Sequence, residues 1–419
     1  QIREKLLKKE FSSEEITTYY LDQIEKKDKE LNSYITVDRE GALRKAREFD
    51  NDFKNRKDLK LGGIPVSIKD IFSTKDILTT AASHILDGYT PVYESTVTER
   101  LIDEGAILLG KTNLDQFCHG SSTITSYFGS TRNPHDLERL PGGSSGGSAC
   151  ATAADLCAAS IGTETAGSIR LPASWCGTVG LKPSYGRVPR YGVLAMGSSL
   201  DSPGPLTRSV KDSALILSVI SGYDPKDFSS YNVKSEDFLN CLDSSKVKGT
   251  KIGIPESYLD IDIEKGVLDN FNRSVDILKR LGADIEYVKI LDTSYAMSVY
   301  TITCRSEVSS NLARYDGTRY GLEGSKKSNV KDYYESTRGE GFGSEPKRRI
   351  MTGTYSLSAG YADEYFKKSE QVRQLIKEDL DTVLKEYDCL ISPTTPTIAL
   401  KDKDADNPLF GEMMEILSK

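Results

Sequence analysis

The sequence predicts an α/β fold, and three observations carry that prediction. Short apolar segments rich in Val and Ile and bounded by Gly and Pro, GGIPVSIKDIF foremost, have the texture of buried strands. Other segments place apolar residues at helical spacing between capping and stop signals, as in STVTERLIDEG and VLDNFNRSVDILKRLG. The two kinds alternate along the chain, which is the signature of a sheet built from helix-connected strands. At 419 residues the chain can bury one large core.

Residues 1–57 read as helices. SSEEITTYYLDQIEKKDKELNSYI has an N-cap at Ser12 or Ser13 followed by acids, and GALRKAREFDNDF repeats the pattern. GGIPVSIKD then gives a strand. STVTERLIDEG gives a helix closing on Gly105, and AILLGKT a further strand. Residues 142–200 are rich in Gly and Ser but contain the helix-like ACATAADLCAASI, and 205–222 read as another helix. KGTKIGIPESYL opens a strand, VLDNFNRSVDILKRLGADIEYVKI reads as helix, Gly stop and strand, 294–314 and 354–388 are helical, and DCLISPTTP is a buried strand ending in a Pro-rich turn. With no repeat and no linker, the expectation is one domain over 1–419: N-terminal helices (1–57), a catalytic core (58–230), a more variable subregion (231–345) and a return to the core (346–419).

The formal charge of −7, with basic residues interspersed, argues against a chain that grips nucleic acid by itself. Seven cysteines at irregular spacing point to free thiols and a reducing compartment, the cytoplasm or alternatively the mitochondrial matrix. No CxxC pair and only three histidines argue against a zinc site. No apolar run suits a membrane span, and no secretory signal opens the chain.

Two stretches bear on chemistry. GAILLGKT, Gly105 to Thr112, matches the phosphate-loop pattern G-x-x-x-x-G-K-S/T letter for letter. That loop needs a strand before its first Gly, whereas a helix precedes Gly105 and the intervening Ala-Ile-Leu-Leu is itself strand-like, so a core strand is the better reading. GGSSGGS, residues 142–148, admits three readings: linker, phosphate nest or catalytic loop. A second Gly/Ser turn, TETAGSIRLP, leads into a predicted helix some twenty residues on, and Lys69 leaves a buried strand in SIKD. A serine nucleophile needs a base, and a desolvated lysine can serve in place of histidine. Taken alone, Lys69 reads first as a lysine capping a strand at the surface.

The runs GGIPVSIKD, GAILLGKTNLDQF, TRNPHDLERLPGGSSGGSACATAA and GTETAGSIRLPASWCGTVGLKPSYGRVPRYG together resemble the amidase signature family over most of residues 1–400. Segments such as SLDSPGPLTRSVKD, RSEVSSNLARYDGTRYG and EGFGSEPKRRIMTGTYSLSAGYADEYF resemble one branch of it, the glutamine-hydrolysing subunits of tRNA-dependent amidotransferases. The resemblance implies a central mixed, twisted sheet covered by helices on both faces. It implies a catalytic set of Lys69, Ser144 behind a cis bond from Gly143, and the nucleophile Ser168, with Ser145 and Glu164 in support. The oxyanion would be held by backbone N–H groups around Thr165, Ala166, Gly167 and Ser168. For substrate it implies Tyr300, Arg349 on the α-carboxylate, and Glu415 near the α-amino group. Arg349 could otherwise be one member of a solvated basic cluster. Ala166, Glu164 and His119 depart from the family pattern. A positive φ at Ala166 would be strained, and His119 is either a packing change or a contact in the amide pocket. The implied activity is glutamine hydrolysis supplying ammonia to a larger partner, the B-type subunit, which carries the ATP, magnesium and tRNA-Gln sites. A small C-type subunit or an equivalent wrapping polypeptide is implied as well, and no cofactor on this chain. The alternatives are a stand-alone amidase and a non-catalytic scaffold subunit. Gln1 in place of Met and the stop at ILSK give the expectation of a trimmed chain lacking an apolar C-terminal segment.

Overall fold

The computed structural model describes residues 1–292 and 294–404. Its strands are β1 (Tyr34–Val37), β2 (Pro65–Lys69), β3 (Ile107–Thr112), β4 (Ala159–Glu164), β5 (Val179–Gly180), β6 (Ser202–Thr207), β7 (Lys251–Pro255), β8 (Asp284–Val288) and β9 (Cys389–Leu390). The larger sheet has the order β1-β3-β2-β4-β6-β5. Its centre, β3-β2-β4, is parallel, while β1, β6 and β5 run antiparallel to their neighbours. The sheet is therefore mixed, as expected.

Apolar residues cover both of its faces. In β3, Ile107 and Leu109 pack with Tyr20, Leu21 and Ile24 of the helix Ser13–Leu31, whereas Leu108 joins the opposite cluster, which contains Val66, Ile68 and Ile161. Successive residues of a strand face opposite ways, so a strand apolar at every position needs cover on both sides. All five residues of β2 are buried.

Several predicted boundaries move. The first long helix does not run through NSYI. It opens on a capping box between Ser12 and Glu15 and stops at Leu31, because Asn32 adopts φ 51° and the Asp28 carboxylate takes the N–H groups of Ser33 and Tyr34. Tyr34–Val37 then forms edge strand β1. ACATAADLCAASI is not one helix: the helix Gly146–Ala153 ends, and Ala159 begins β4 at the middle of the sheet. β6 carries Pro203 and Pro205, which disguise it as a loop, and the helix that follows spans only Val210–Ile220. The predicted strands after residue 250 do not extend the central sheet. β8-β7-β9 make a separate parallel sheet of three. Among the described residues no helix is long and apolar enough to cross a membrane.

Candidate active site

The carboxyl ends of the parallel strands β3, β2 and β4 deliver Lys111, Lys69 and Thr163 to one edge of the sheet, the usual place for a site in an open α/β fold. GAILLGKT is strand β3 over most of its length, so its backbone amides serve the sheet and no phosphate loop exists.

Lys69 is fully buried. Its Nζ lies 2.8 Å from Ser144 Oγ, 2.9 Å from Ser145 Oγ, 3.0 Å from Thr163 Oγ1 and 3.3 Å from the Thr163 carbonyl oxygen. No carboxylate among the described residues makes an ion pair with it. Burial therefore pushes its pKa down, while Cys118 and the more distant Asp115 and Asp201 push back. Ser145 precedes the helix Gly146–Ala153 but does not cap it with its hydroxyl. That hydroxyl instead donates to the Thr163 carbonyl at 3.1 Å and accepts from Thr163 N at 3.3 Å, locking the loop to β4.

The Gly143–Ser144 bond is cis. Gly143 cannot carry a side chain: a Cβ there would stand 2.2 Å from Asp115 Oδ2 and 2.6 Å from Ser122 N. GGSSGGS is thus no linker. Its residues from Pro141 to Ser148 are all buried, and the backbone passes other chain segments too closely for larger residues.

The second turn carries Ser168, whose main-chain oxygen accepts from Ser145 N at 3.1 Å. That tie sets the two serine turns side by side. No hydrogen bond joins the Ser144 and Ser168 hydroxyls, and Ser168 Oγ bonds to none of the described residues. Buried Glu164 organises this turn from inside: Oε2 accepts from Ile169 N at 3.0 Å and Arg170 N at 3.1 Å, and Oε1 accepts from Arg170 Nε at 2.8 Å. With Ile169 and Arg170 held inward, the N–H groups of Ala166, Gly167 and Ser168 donate to no described residue and can serve an oxyanion. The anticipated strain at Ala166 does not arise. Gly167 takes the positive φ, 94°, and Ala166 does not. Thr165 is fixed through Oγ1 to Asp201 Oδ1 at 2.7 Å.

The residues anticipated for substrate sit on two packed helices. Half-buried Tyr300 lies on Ser294–Asn311, and Arg349 on Ser344–Ser356. Gly353 permits this approach, since a Cβ there would stand 1.8 Å from Arg305 O. Arg349 is not a solvated residue: it is 4% exposed, and its Nε donates to Glu345 Oε1 at 2.7 Å. Arg305, which the sequence does not single out, is buried beside Arg348 and Arg349. Desolvation first, then the neighbouring guanidiniums, push its pKa down to about 10. His119 is fully buried near the same arginines. Glu415 lies outside the described residues. Thr163 and Asp201 also escape the sequence reading, because the Ala-rich run conceals β4 and no motif marks Asp201. Among the described residues no cluster of His, Cys, Asp or Glu suits a metal ion.

The amidase family model matches residues 15–417. The chain belongs to the amidase family. Within it, this amidase is 48% identical over 417 residues to the A-type subunit of glutamyl-tRNA(Gln) amidotransferase from Thermoanaerobacter pseudethanolicus, covering 99% of this chain and 85% of that protein. It is 50% identical over 399 residues to the same subunit of Pelagibacter ubique, covering 95% and 81%. Its fold is similar to the crystal structure of that subunit from Thermotoga maritima, with a TM-score of 0.79 at 38% identity over 97% of this chain and 81% of the other. A bacterial aryl acylamidase of the amidase signature family superposes with a TM-score of 0.85 at 25% identity, over 99% and 86%.

Proposed function

We propose that this chain is the glutamine-hydrolysing subunit of a glutamyl-tRNA(Gln) amidotransferase. It cleaves the side-chain amide of glutamine and passes ammonia to a partner, where glutamate on misacylated tRNA-Gln becomes glutamine. The observation that carries the chemistry is the buried Lys69 ammonium site, solvated by the hydroxyls of Ser144, Ser145 and Thr163 and by no carboxylate. Such a lysine is readily neutral and can act as a base. The substrate assignment is supported by the amidotransferase relatives and by the burial of Arg349 and Arg305.

In this mechanism neutral Lys69 draws a proton from Ser144, which draws one from Ser168 as Ser168 Oγ bonds the amide carbon. The oxyanion formed from the carbonyl is held by N–H groups of Ala166, Gly167 and Ser168, each such donor contributing about 3–4 kcal/mol. The carbon–nitrogen bond breaks as the proton returns through Ser144 to the departing ammonia. Water then adds to the acyl-enzyme, releases glutamate and restores the Ser168 proton. The relay requires the Ser144 and Ser168 hydroxyls to meet, and the bond from Ser145 N to Ser168 O at 3.1 Å sets their two turns side by side. ATP, magnesium and tRNA sites are assigned to the B-type partner, and a small C-type subunit or its equivalent completes the complex.

The test is ammonia release from glutamine by the wild type and by Ser168→Ala, with and without the partner subunits. Release that survives in Ser168→Ala would overturn the mechanism. Turnover of simple amides without turnover of glutamine would make the protein a stand-alone amidase.

A further inference from the structure

We propose that Cys118 is a positioning residue for Lys69: its sulfur takes the hydrogen of the Thr163 hydroxyl, which leaves the Lys69 lone pair to Ser144 alone. This rests on the lysine base of the proposed mechanism and names what aims it. The starting observation is that three hydroxyls crowd one amine. Ser144 Oγ stands 2.8 Å, Ser145 Oγ 2.9 Å and Thr163 Oγ1 3.0 Å from Nζ. A neutral amine has one lone pair, so it takes a hydrogen from one hydroxyl at a time. The reaction needs that hydroxyl to be Ser144, and three such similar distances do not select it.

The other partners of the hydroxyls make the selection. Ser145 Oγ donates to the Thr163 carbonyl oxygen at 3.1 Å, so its hydrogen is already placed. Thr163 Oγ1 has one contact besides Lys69 among the described residues, the Sγ of Cys118 at 3.6 Å. An ammonium only donates, so while Lys69 carries its proton the Thr163 hydrogen goes to the sulfur, a weak acceptor. The sulfur also acts on Lys69 itself, against the desolvation that lowers the lysine pKa, and that is the action of an acceptor. Ser144 Oγ bonds to Nζ alone among the described side chains. Its hydrogen is the one left to move when Lys69 becomes neutral.

The backbone presents this thiol by an uncommon route. Phe117 and Cys118 both take left-handed φ values, 49° and 63°, which L residues adopt at a steric cost. The turn is held by Phe117 N, which donates to the Ala81 carbonyl oxygen at 2.9 Å, and by Cys118 N, which donates to that of Asp115 at 2.8 Å. Cys118 and Thr163 are both buried, so bulk water does not compete for the hydroxyl hydrogen.

The experiment is a double-mutant cycle on kcat/KM for ammonia release from glutamine, with the full chain and its partner subunits. It is read at pH values where the rate no longer changes, so that the share of neutral Lys69 drops out of the comparison. Thermal melts verify folding, and Cys118→Gly, which suits a φ of 63°, takes the place of Cys118→Ala if the latter does not fold. Cys118→Ala frees the Thr163 hydrogen to compete for the Lys69 lone pair, and kcat/KM is expected to fall about five- to tenfold, the scale of one hydrogen bond. In Thr163→Val no such hydrogen exists, so adding Cys118→Ala there should change kcat/KM by less than about twofold. Cys118→Ser keeps an acceptor and should recover most of the loss. Losses that multiply in the double variant, a Cys118→Ala variant as active as wild type, or a Cys118→Ser variant as impaired as Cys118→Ala would each overturn the inference. Lys69→Met is measured alongside. If it stays active, the lysine base fails and Cys118 with it, whereas an inactive Lys69→Met leaves the cycle to decide on Cys118 alone.

Discussion

Lys69 and Lys111 are both completely buried, sit at the ends of adjacent parallel strands, and have different partners. The register pairs Lys69 with Thr112 and Ile68 with Lys111, so the pleat sends the two ammonium groups to opposite faces of the sheet. On its face Lys111 meets the Asp70 carboxylate at 3.1 Å, the Phe72 carbonyl at 2.7 Å and Thr79 Oγ1 at 2.6 Å. On the other face Lys69 meets hydroxyls and one carbonyl. Desolvation lowers the pKa of both, and only at Lys111 does a carboxylate in direct contact oppose it. Burial alone therefore does not make a lysine a base. What sets Lys69 apart is that no carboxylate touches it, and Lys111 is the built-in control.

Substitution at Lys69 should have the largest consequence. Lys69→Met is expected to lower glutamine turnover by about 10²–10⁴-fold, the span of a lost general base, while the urea unfolding midpoint hardly falls. A variant that keeps its activity would remove Lys69 from the chemistry. The mirror experiment is Lys111→Met, which strands the Asp70 carboxylate in the interior. It should cost about 3–5 kcal/mol of stability, and the double variant Lys111→Met/Asp70→Leu should regain much of it. Equal stability losses in the single and double variants would show that Lys111 acts by packing and not by its ion pair.

Titration should separate the two lysines further. The active form of Lys69 is the neutral one, so log kcat/KM should rise with pH and level off below the ordinary lysine value of 10.5, because the Lys69 pKa is lowered. The same lowering acts on stability with a defined sign: the unfolded chain binds more protons between the folded and the unfolded pKa, so this group's cost is full at low pH and is relieved as pH rises through that window. A rate that does not rise with pH on the acid side of that plateau would contradict a lysine base. The smallest effect is expected from Thr163→Val, which removes one hydroxyl from Lys69 Nζ at the cost of about 1 kcal/mol in transition-state stabilisation, read as a five- to tenfold fall in kcat/KM.

Local patterns in the sequence reach far into this protein. The Ser12–Glu15 capping box, the strand PVSIK and the helix before Gly105 are set by neighbours a few residues apart, and the structure has them where the spacing places them. The proposed catalytic triplet is reachable by resemblance, since its motifs are contiguous runs. β4 and β6 are not legible: one follows an Ala-rich helix without a break, and the other carries two prolines, so their strand character comes from pairing with each other.

The α/β class, the rejection of a phosphate loop in GAILLGKT and a short list of serines and lysines all follow from residues read in order along the chain. Which charges meet does not follow from that order. Asp70 comes directly after Lys69 yet pairs with Lys111, because a strand turns successive side chains to opposite faces and only the register with a neighbouring strand chooses the partner. The same rule leaves Lys69 among hydroxyls, on which the proposed chemistry depends.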